Sequence, residues 1–294
     1  MKLSSNDIDT LSKVAIKAAK SAGELINTYN NSTVSVLRKK GGNSLASQIV
    51  TEVDFKSQEL ILKILEPTLN RFDLALLTEE SHDTKTRLEK DFFWCIDPLD
   101  GTLLFSESSF GYSISIALIS SKGIPLLGVI YEPIKGNLYH AIQNKGAYKN
   151  NIPWSLKSNL ETKPLQFYYN KSLKNTKVFP KILKKLEKLS ENLDVHGVHL
   201  NETYGAVINA CMALENTPSC YFTFPKEIEG GGSIWDYAAT ACIYKEIGAC
   251  VTDVYGNPLD LNNPKSTYMN TKGVLFTSDV KLNKMIQNIH RELN

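Results

Sequence analysis

Apolar residues recur with helical spacing in some segments of this chain and stand in short continuous runs in others. The helical spacing is present at 7–29, where one face is apolar, and again at 281–293. Short runs rich in aromatic and β-branched residues predict strands at 74–77, 92–96, 112–119, 126–131 and 138–142. Turn signals at 121–123 and 135–137 join the last three runs, which predicts an antiparallel meander rather than a doubly wound sheet.

The second half of the chain alternates helical and strand-like segments. A polar break at 150–153 separates it from the meander. We expect helices near 176–191, 203–215 and 233–247, and strands near 166–170, 194–199, 219–224 and 249–253. At 294 residues the chain is longer than one hydrophobic core usually supports. The pattern therefore predicts an α/β protein with two domains, 1–155 and 156–294.

Two carboxylates stand directly after the strand predicted at 92–96. The sequence there is Asp97-Pro98-Leu99-Asp100-Gly101-Thr102. Because Pro98 cannot donate to a sheet ladder, we expect the strand to stop at this point and a turn to follow. Carboxylates beside a main-chain carbonyl suit a hard cation such as Mg²⁺, and N–H groups at a helix start suit a phosphate. The hexapeptide indicates phosphoryl chemistry, although Asp-Pro and Asp-Gly are also ordinary turn dipeptides.

Three further acidic clusters lie at the ends of apolar segments. Asp54 stands at the start of a helix that apolar spacing predicts at 55–65, where a helix cap would explain it. Glu79 and Glu80 follow the first predicted strand, where contact with solvent would explain them. Asp236 lies in the first turn of the next-to-last predicted helix, where it complements the helix dipole. Each local reason suffices singly, but the four clusters together indicate carboxylates that converge on a cation.

The four clusters resemble, in type and order, the motifs of the inositol monophosphatase superfamily of Mg²⁺-dependent phosphomonoesterases. Residues 94–102 match the signature Trp-x-Ile-Asp-Pro-Leu/Ile-Asp-Gly-Thr, and 235–248 match Trp-Asp-x-Ala-Ala followed by a helix and a glycine turn. The Thr-x-x-Asp and Glu-Glu-Ser elements are matched at 51–54 and 79–81. The resemblance covers roughly residues 10 to 280 and implies an α/β/α/β/α layered sandwich, similar to that of fructose-1,6-bisphosphatase.

The resemblance also implies roles for individual residues. Two or three Mg²⁺ ions would be held by Glu79, Asp97, the Leu99 carbonyl, Asp100 and Asp236. Asp54 and Thr102 would form a hydrogen-bonded pair that orients the attacking water, and the N–H groups of Gly101 and Thr102 would hold the phosphate. Glu229 would contact the substrate. Lys40 lies in a basic loop at 38–48 and would either meet the phosphate or belong to an exposed hairpin tip.

The implied reaction is hydrolysis of a small phosphate monoester by a metal-activated water, in which Glu79 acts as a catalytic metal ligand. Because no serine or cysteine stands in a nucleophile-elbow context, water is the better nucleophile. The resemblance implies lithium sensitivity as well.

The substrate branch stays open. The segment 97–102 is closer to the 3′(2′),5′-bisphosphate nucleotidase branch, which converts 3′-phosphoadenosine 5′-phosphate to AMP and phosphate. However, Leu103 and Leu104 stand where that branch usually has a lysine and where the inositol branch usually has Thr-Asn-Phe. The alternatives are an inositol monophosphatase, another sugar or polyol phosphatase, and a ligand-binding homologue without turnover.

Composition and charge leave this picture unchanged. The chain has 33 basic and 31 acidic residues, so its net charge of +2 calls for neither a nucleic-acid polymer nor a membrane as partner. The basic segment 181–188 has no interleaved aromatic residue and is typical of an exposed amphipathic helix. The five cysteines form no close pairs, which argues against disulfides and zinc. Without an apolar signal or spanning segment we expect a cytoplasmic protein, either a monomer or a homodimer.

Overall fold

A computed structural model describes residues 2–29, 36–38, 49–156 and 163–293 of the protein. Its helices are α1 (Ser5–Thr28), α2 (Glu52–Arg71), α3 (Thr102–Ser106), α4 (Lys171–Lys174), α5 (Phe179–Asn192), α6 (Ala206–Glu215), α7 (Ile234–Ile247) and α8 (Val280–Leu293), with a 3₁₀ helix at Thr86–Leu88. Its strands are β1 (Val36–Arg38), β2 (Ile49–Thr51), β3 (Ala75–Thr78), β4 (Phe92–Asp100), β5 (Ser113–Ser120), β6 (Pro125–Glu132), β7 (Asn137–Ile142), β8 (Ala147–Lys149), β9 (Ile152–Trp154), β10 (Leu165–Tyr168), β11 (Val198–Asn201), β12 (Ser219–Thr223), β13 (Cys250–Thr252) and β14 (Val274–Thr277).

The amphipathic pattern at 7–29 folds as α1. A capping box starts the helix, since Ser4 Oγ accepts from the Asp7 N–H and the Asp7 carboxylate accepts from the Ser4 N–H. The apolar face, which includes Leu11, Ala15 and Ile26, is fully buried. The predicted last helix is likewise confirmed as α8.

Strands β3 to β9 form a seven-stranded sheet in chain order. β3 pairs with β4 in parallel, and the pairs that follow are antiparallel, so the predicted meander is confirmed as β5–β6–β7. The second sheet has the order β11-β10-β12-β14-β13, in which β10 is parallel to both β11 and β12. β1 and β2 pair separately.

Helices and sheets alternate in α/β/α/β/α layers, which confirms the predicted fold class. α1 and α2 cover one face of the seven-stranded sheet, α6 and α7 lie between the two sheets, and α5 and α8 cover the outer face of the second sheet. A Cβ on Gly128 would lie 2.4 Å from the Ala239 carbonyl oxygen, so glycine lets α7 pack directly on β6. Because α7 packs on the first sheet, the division into domains 1–155 and 156–294 stays a prediction.

Several predicted boundaries were wrong. β4 does not stop before Pro98 but continues to Asp100. The strand expected near 194–199 is β11, and the helix expected near 203–215 begins at Ala206. The pattern for these segments is short and partly polar, so turns and tertiary contacts set their ends.

The described part of the chain holds no helix that combines the length and the apolar character needed to cross a membrane. All five cysteines are free, and Cys95 and Cys242 are buried core residues as expected.

Candidate active site

A β-bulge at the end of β4 presents the first two carboxylates. Asp97 pairs with Ser115 and Asp100 with Ser113, so β4 holds one residue more than β5 across this interval. Pro98 lies within the bulge, where a missing N–H costs no ladder hydrogen bond. The Ser57 hydroxyl of α2 donates to the Pro98 carbonyl at 2.8 Å, which fixes the irregular backbone.

Asp97 is fully buried, and its two oxygens differ in their surroundings. Oδ1 accepts a hydrogen bond from the Leu99 N–H at 3.0 Å, whereas Oδ2 is buried without a hydrogen-bond partner in the described structure. Burial raises the pKa of Asp97 well above its usual value, and the charges of Glu79, Asp236 and Asp100 raise it further. This oxygen therefore lacks a positive partner.

Asp100 is held by the start of α6 in the second half of the chain. Its carboxylate accepts from the N–H groups of Ala206 at 3.2 Å and Val207 at 3.1 Å. A Cβ on Gly205 would lie 2.3 Å from Asp100 Oδ2, so only glycine permits this approach. Burial raises the pKa of Asp100 well above its usual value, the Asp236 charge raises it further, and the two N–H groups oppose the rise.

Asp236 completes a carboxylate triad. It is the third residue of α7 and its carboxylate accepts from the Ser233 N–H, so the local helix-start role is present. Carboxylate oxygens of Asp97, Asp100 and Asp236 nevertheless all lie within 4.8 Å of one another. Three buried or half-buried acids this close repel one another strongly unless a cation lies between them.

A second polar pair borders the triad. The Thr102 hydroxyl lies 2.8 Å from Asp54 Oδ1 and 3.1 Å from the Leu99 carbonyl oxygen. Asp54 Oδ2 accepts from both the N–H and the hydroxyl of Thr51, the residue that caps α2. Asp54 is therefore not the N-cap residue, a position that Thr51 occupies, but the third residue of α2, and its carboxylate completes the capping box. Burial raises the pKa of Asp54, against the lowering effect of the Thr51 and Thr102 hydrogen bonds.

The triad opens on a cavity of about 350 Å³. Its lining includes most of the residues that the motifs singled out, namely Glu79, Asp97, Leu99, Asp100, Gly101, Thr102 and Asp236. Glu79 is half-buried, and its N–H donates to the Ile96 carbonyl at 3.1 Å, which continues the β3–β4 ladder to the cavity edge. Elements far apart in the chain thus meet at one site.

Two predicted substrate contacts, Glu229 and Lys40, stay predictions. Glu229 is exposed and accepts a hydrogen bond from Ser266 Oγ at 3.5 Å, so its role stays a prediction. Lys40 lies outside the described residues.

The lining also contains residues that the motifs did not indicate. Asn170, Lys171 and Ser172 follow β10, and Glu202 and Tyr204 follow β11. Because β10 and β11 are parallel, their carboxyl ends meet at one edge of the sheet, where ligands usually bind in α/β proteins. Polar residues after two predicted strands of the second half were the available signal, but their parallel pairing was not visible in the sequence.

The triad fits a divalent cation. Carboxylate oxygens are the ligands that Mg²⁺ prefers, and the partnerless Asp97 Oδ2 is a buried acceptor that a cation would satisfy. Mutual repulsion among the three acids would fall on cation binding.

The chain belongs to the inositol monophosphatase family, since the model of this family matches residues 7–291. The family acts on small phosphate monoesters and depends on metal, and the protein is a phosphatase of this family with a candidate metal-binding aspartate triad. The resemblance inferred from the motifs is thus confirmed at the level of the family.

Curated relatives divide among three kinds of protein. The chain is 29% identical over 241 residues to the Nus factor SuhB of Haemophilus influenzae, covering 82% of this chain and 84% of the relative. It is 28% identical over 271 residues to an inositol-1-monophosphatase of Synechocystis, covering 92% and 88%. It is 28% identical over 257 residues to the 3′(2′),5′-bisphosphate nucleotidase CysQ of Shigella flexneri, covering 86% and 94%. These identities do not separate the branches.

Solved structures share the fold. An IMPase of Thermotoga maritima superposes with a TM-score of 0.75 at 22% identity, covering 97% of this chain and all of the other. The extragenic suppressor protein SuhB of Bartonella henselae superposes with a TM-score of 0.74 at 21% identity, covering 96% and 99%.

Proposed function

We propose that the protein hydrolyses a small phosphate monoester in a magnesium-dependent reaction, with Asp97, Asp100 and Asp236 as metal ligands. The supporting observation is that the triad and Thr102 line the same cavity. Glu79 and the Leu99 carbonyl line it too and would complete a set for two or three ions. Magnesium held there would supply Lewis-acid chemistry, acidifying water and offsetting charge on the phosphoryl oxygens.

Thr102 orients the attacking water in this proposal. Its hydroxyl has one proton, and the nearer acceptor is the Asp54 carboxylate. Because the hydroxyl donates this proton in a hydrogen bond to Asp54, the Thr102 oxygen accepts a hydrogen bond from water and fixes the line of attack. Water then attacks phosphorus and the ester P–O bond breaks; the proton that this water loses passes through Thr102 to Asp54, and the leaving alkoxide takes a proton from solvent water. The burial-raised pKa of Asp54 increases its affinity for this proton.

Phosphate lies against Gly101 and Thr102. Gly101 has a φ of +87°, which glycine tolerates, and it precedes α3. Residues 101–104 line the cavity, and in this proposal the N–H groups of Gly101 and Thr102 donate hydrogen bonds to phosphate oxygens.

The proposed substrate is a 3′(2′),5′-bisphosphate nucleotide, with 3′-phosphoadenosine 5′-phosphate as the model compound. Lys171 is the one basic side chain among the described residues that line the cavity. A neighbouring acid, Glu202, is already paired with Lys174 at 2.9 Å. Lys171 is therefore suited to a second phosphate that is not hydrolysed.

An inositol or other polyol phosphate is the second candidate. Glu107 is an exposed carboxylate on the cavity wall. It could accept hydrogen bonds from sugar hydroxyls, and it would repel a second phosphate. The same feature that favours a polyol thus disfavours the bisphosphate.

Phosphate release from 3′-phosphoadenosine 5′-phosphate, inositol 1-phosphate and fructose 1,6-bisphosphate tests both candidates. We expect the highest kcat/KM for the nucleotide, activity only with Mg²⁺, and inhibition by millimolar Li⁺. Preference for inositol 1-phosphate would select the polyol candidate. If no substrate is hydrolysed with Mg²⁺ present, the chain is a ligand-binding homologue and the catalytic proposal is wrong.

The role of Lys171 is tested by comparing the bisphosphate with adenosine 3′-phosphate. The wild type should have the higher kcat/KM for the bisphosphate. Lys171→Met should lower the ratio of the two kcat/KM values by about tenfold, as expected for loss of one charge-assisted contact. Lys174→Met is the matched control, because this neighbouring lysine is paired with Glu202.

A further inference from the structure

Tyr204 forms a wall of the cavity immediately before the glycine that contacts Asp100. It lines the cavity together with Gly205. The Gly205 N–H donates to the Gly111 carbonyl at 2.9 Å, which joins this segment to the loop before β5. The ring is therefore close to the proposed reaction centre and is attached to the first sheet.

Three contacts hold the Tyr204 ring in place. Phe110 packs edge-on against it, with ring centroids 6.0 Å apart. Lys135 Nζ lies 5.2 Å from the Tyr204 centroid and 5.6 Å from that of Phe110. A Cβ on Gly111 would lie 2.7 Å from Tyr204 Cδ1, so glycine there allows the ring to lie against the loop.

Lys135 is itself fixed by a buried acid. Its Nζ lies 3.0 Å from Oε1 of Glu132, whose side chain is 0% exposed. Their contact is an ion pair without hydrogen-bond geometry, and the other Glu132 oxygen accepts from Asn137 Nδ2 at 2.8 Å. The ammonium group is thus held between a carboxylate and two aromatic rings.

We infer that Tyr204 is a specificity-determining residue whose pre-positioned ring stacks on the flat base of a nucleoside phosphate. This inference rests on the proposed function and deepens it by naming the side chain that would contact the base of the nucleotide. An aromatic ring already fixed by its neighbours loses little conformational freedom when a second ring stacks on it. Lys135 acts through Tyr204 and is a positioning residue.

Kinetics of Tyr204→Ala and Tyr204→Phe test the stacking role. We expect Tyr204→Ala to lower kcat/KM for 3′-phosphoadenosine 5′-phosphate by about tenfold or more, mainly through KM, as for loss of one base-stacking contact. The loss for glycerol 2-phosphate, which has no ring, should stay below about threefold. Tyr204→Phe keeps the ring and should behave like the wild type. Equal losses on the two substrates in Tyr204→Ala would overturn the inference.

Lys135 provides an independent test of positioning. Lys135→Met should raise KM for the nucleotide and leave glycerol 2-phosphate unchanged, whereas Lys135→Arg, which keeps the cation over the rings, should restore the wild-type KM. Lys122→Met, an exposed lysine in the β5–β6 turn, is the control. If Lys135→Met changes KM equally for both substrates, Lys135 has only a structural role.

Calorimetric titration with AMP separates this inference from the proposed reaction. The wild type should bind AMP more tightly than Tyr204→Ala by about tenfold, whether or not any substrate is hydrolysed. If no substrate is hydrolysed but AMP still binds the wild type more tightly than Tyr204→Ala, the proposed reaction is wrong and stacking on Tyr204 is supported. Equal AMP affinities of the wild type and Tyr204→Ala would overturn the stacking role of Tyr204, whether or not the protein is active.

Discussion

At the scale of single residues, Asp54 and Asp236 each take part in a helix start and in the candidate active site, Asp236 as a lining residue and Asp54 through its contact with Thr102. Both are third residues of a helix, and both accept a hydrogen bond from the residue that caps it. Asp54 uses Oδ2 for the cap and Oδ1 for Thr102. A carboxylate has two oxygens, so the local role that the sequence explains does not exclude the site role.

Asp97→Asn should lower turnover by at least about a hundredfold and remove Mg²⁺ binding, because it removes one of three convergent charges. The amide should leave the fold intact, since it keeps the acceptor for the Leu99 N–H. Calorimetric Mg²⁺ titration and circular dichroism measure the two effects.

Glu107→Gln is the matched control for this substitution, since it removes a charge from the same cavity outside the triad. It should retain Mg²⁺ binding. Wild-type Mg²⁺ affinity in Asp97→Asn would contradict the assignment of Asp97 as a ligand.

Thr102→Ala should lower kcat by about a hundredfold with little change in KM, because it removes the hydroxyl that orients water but no part of the lining backbone. Thr102→Ser keeps the hydroxyl and should retain most activity. Steady-state kinetics on the best substrate decide the matter, and a change confined to KM would make Thr102 a binding residue only.

Gly205→Ala tests the close approach of α6 to Asp100. The new methyl group would need to displace the carboxylate, since its Cβ would lie 2.3 Å from Oδ2. We expect a loss of about 1–3 kcal/mol in the free energy of unfolding, as for overpacking, together with weaker Mg²⁺ binding. Urea unfolding and Mg²⁺ titration are the measurements. Wild-type values in both would show that the segment moves aside without cost.

At the scale of elements, Arg87 ties the 3₁₀ helix to the second half of the chain. Its guanidinium is fully buried and donates to Asp83 at 2.9 Å, to the Asn262 side chain at 2.5 Å and to the Asn263 carbonyl at 2.8 Å. Burial acts to raise the pKa of Asp83, but hydrogen bonds from Arg87 and Lys85 hold it below its usual value. The loop between β3 and the 3₁₀ helix, which begins with Glu79, is thereby anchored.

Arg87→Met should destabilise the protein by about 3 kcal/mol, the low end for a broken buried ion pair, because Asp83 keeps some exposure. Urea unfolding gives the change, and a rise in KM for Mg²⁺ would report displacement of Glu79. Lys85→Met is the control, because Lys85 contacts the same Asp83 from a solvent-exposed position and should change stability by less than about 1 kcal/mol. If the two variants lower the free energy of unfolding by similar amounts, the burial of Arg87 contributes nothing to stability.

The β4 bulge explains the wrong prediction at Pro98. Proline excludes regular pairing at its own position, and the sequence gives no indication that the strand resumes beyond it. Two contacts allow the continuation, namely the Asp100 pairing with Ser113 and the Ser57 hydrogen bond to Pro98. Both come from other elements, so local pattern could not reveal them.

At the scale of the whole molecule, the carboxylate triad couples stability to pH and to Mg²⁺. Folding raises the pKa values of Asp97 and Asp100 above their unfolded values. Their contribution to stability in the metal-free protein is therefore complete below the unfolded pKa and is lost as pH rises through the folded pKa. Because cation binding needs the ionised acids, stabilisation by Mg²⁺ increases over the same range.

Thermal unfolding should reveal this coupling. The rise in Tm caused by Mg²⁺ should be larger at about pH 8 than at about pH 5, and a concentration of 100 times Kd should supply about 2.7 kcal/mol. The Mg²⁺ effect should vanish in Asp97→Asn. A Tm shift independent of pH would argue that the triad does not bind the cation.

The sequence by itself determined the family, most helices and strands, and the acidic motifs at their ends. Periodicity and signature spacing are local properties, so they can be recognised in the sequence without the tertiary structure. The tertiary structure decided which carboxylate oxygens lie close together and which groups they contact. Asp100 and Ala206 are 106 positions apart, and their contact exists because parallel strands of the second sheet direct α6 toward the end of β4. The Tyr204 wall and the Arg87 anchor are likewise contacts between distant segments, and no local pattern encodes such pairings because packing of whole layers creates them.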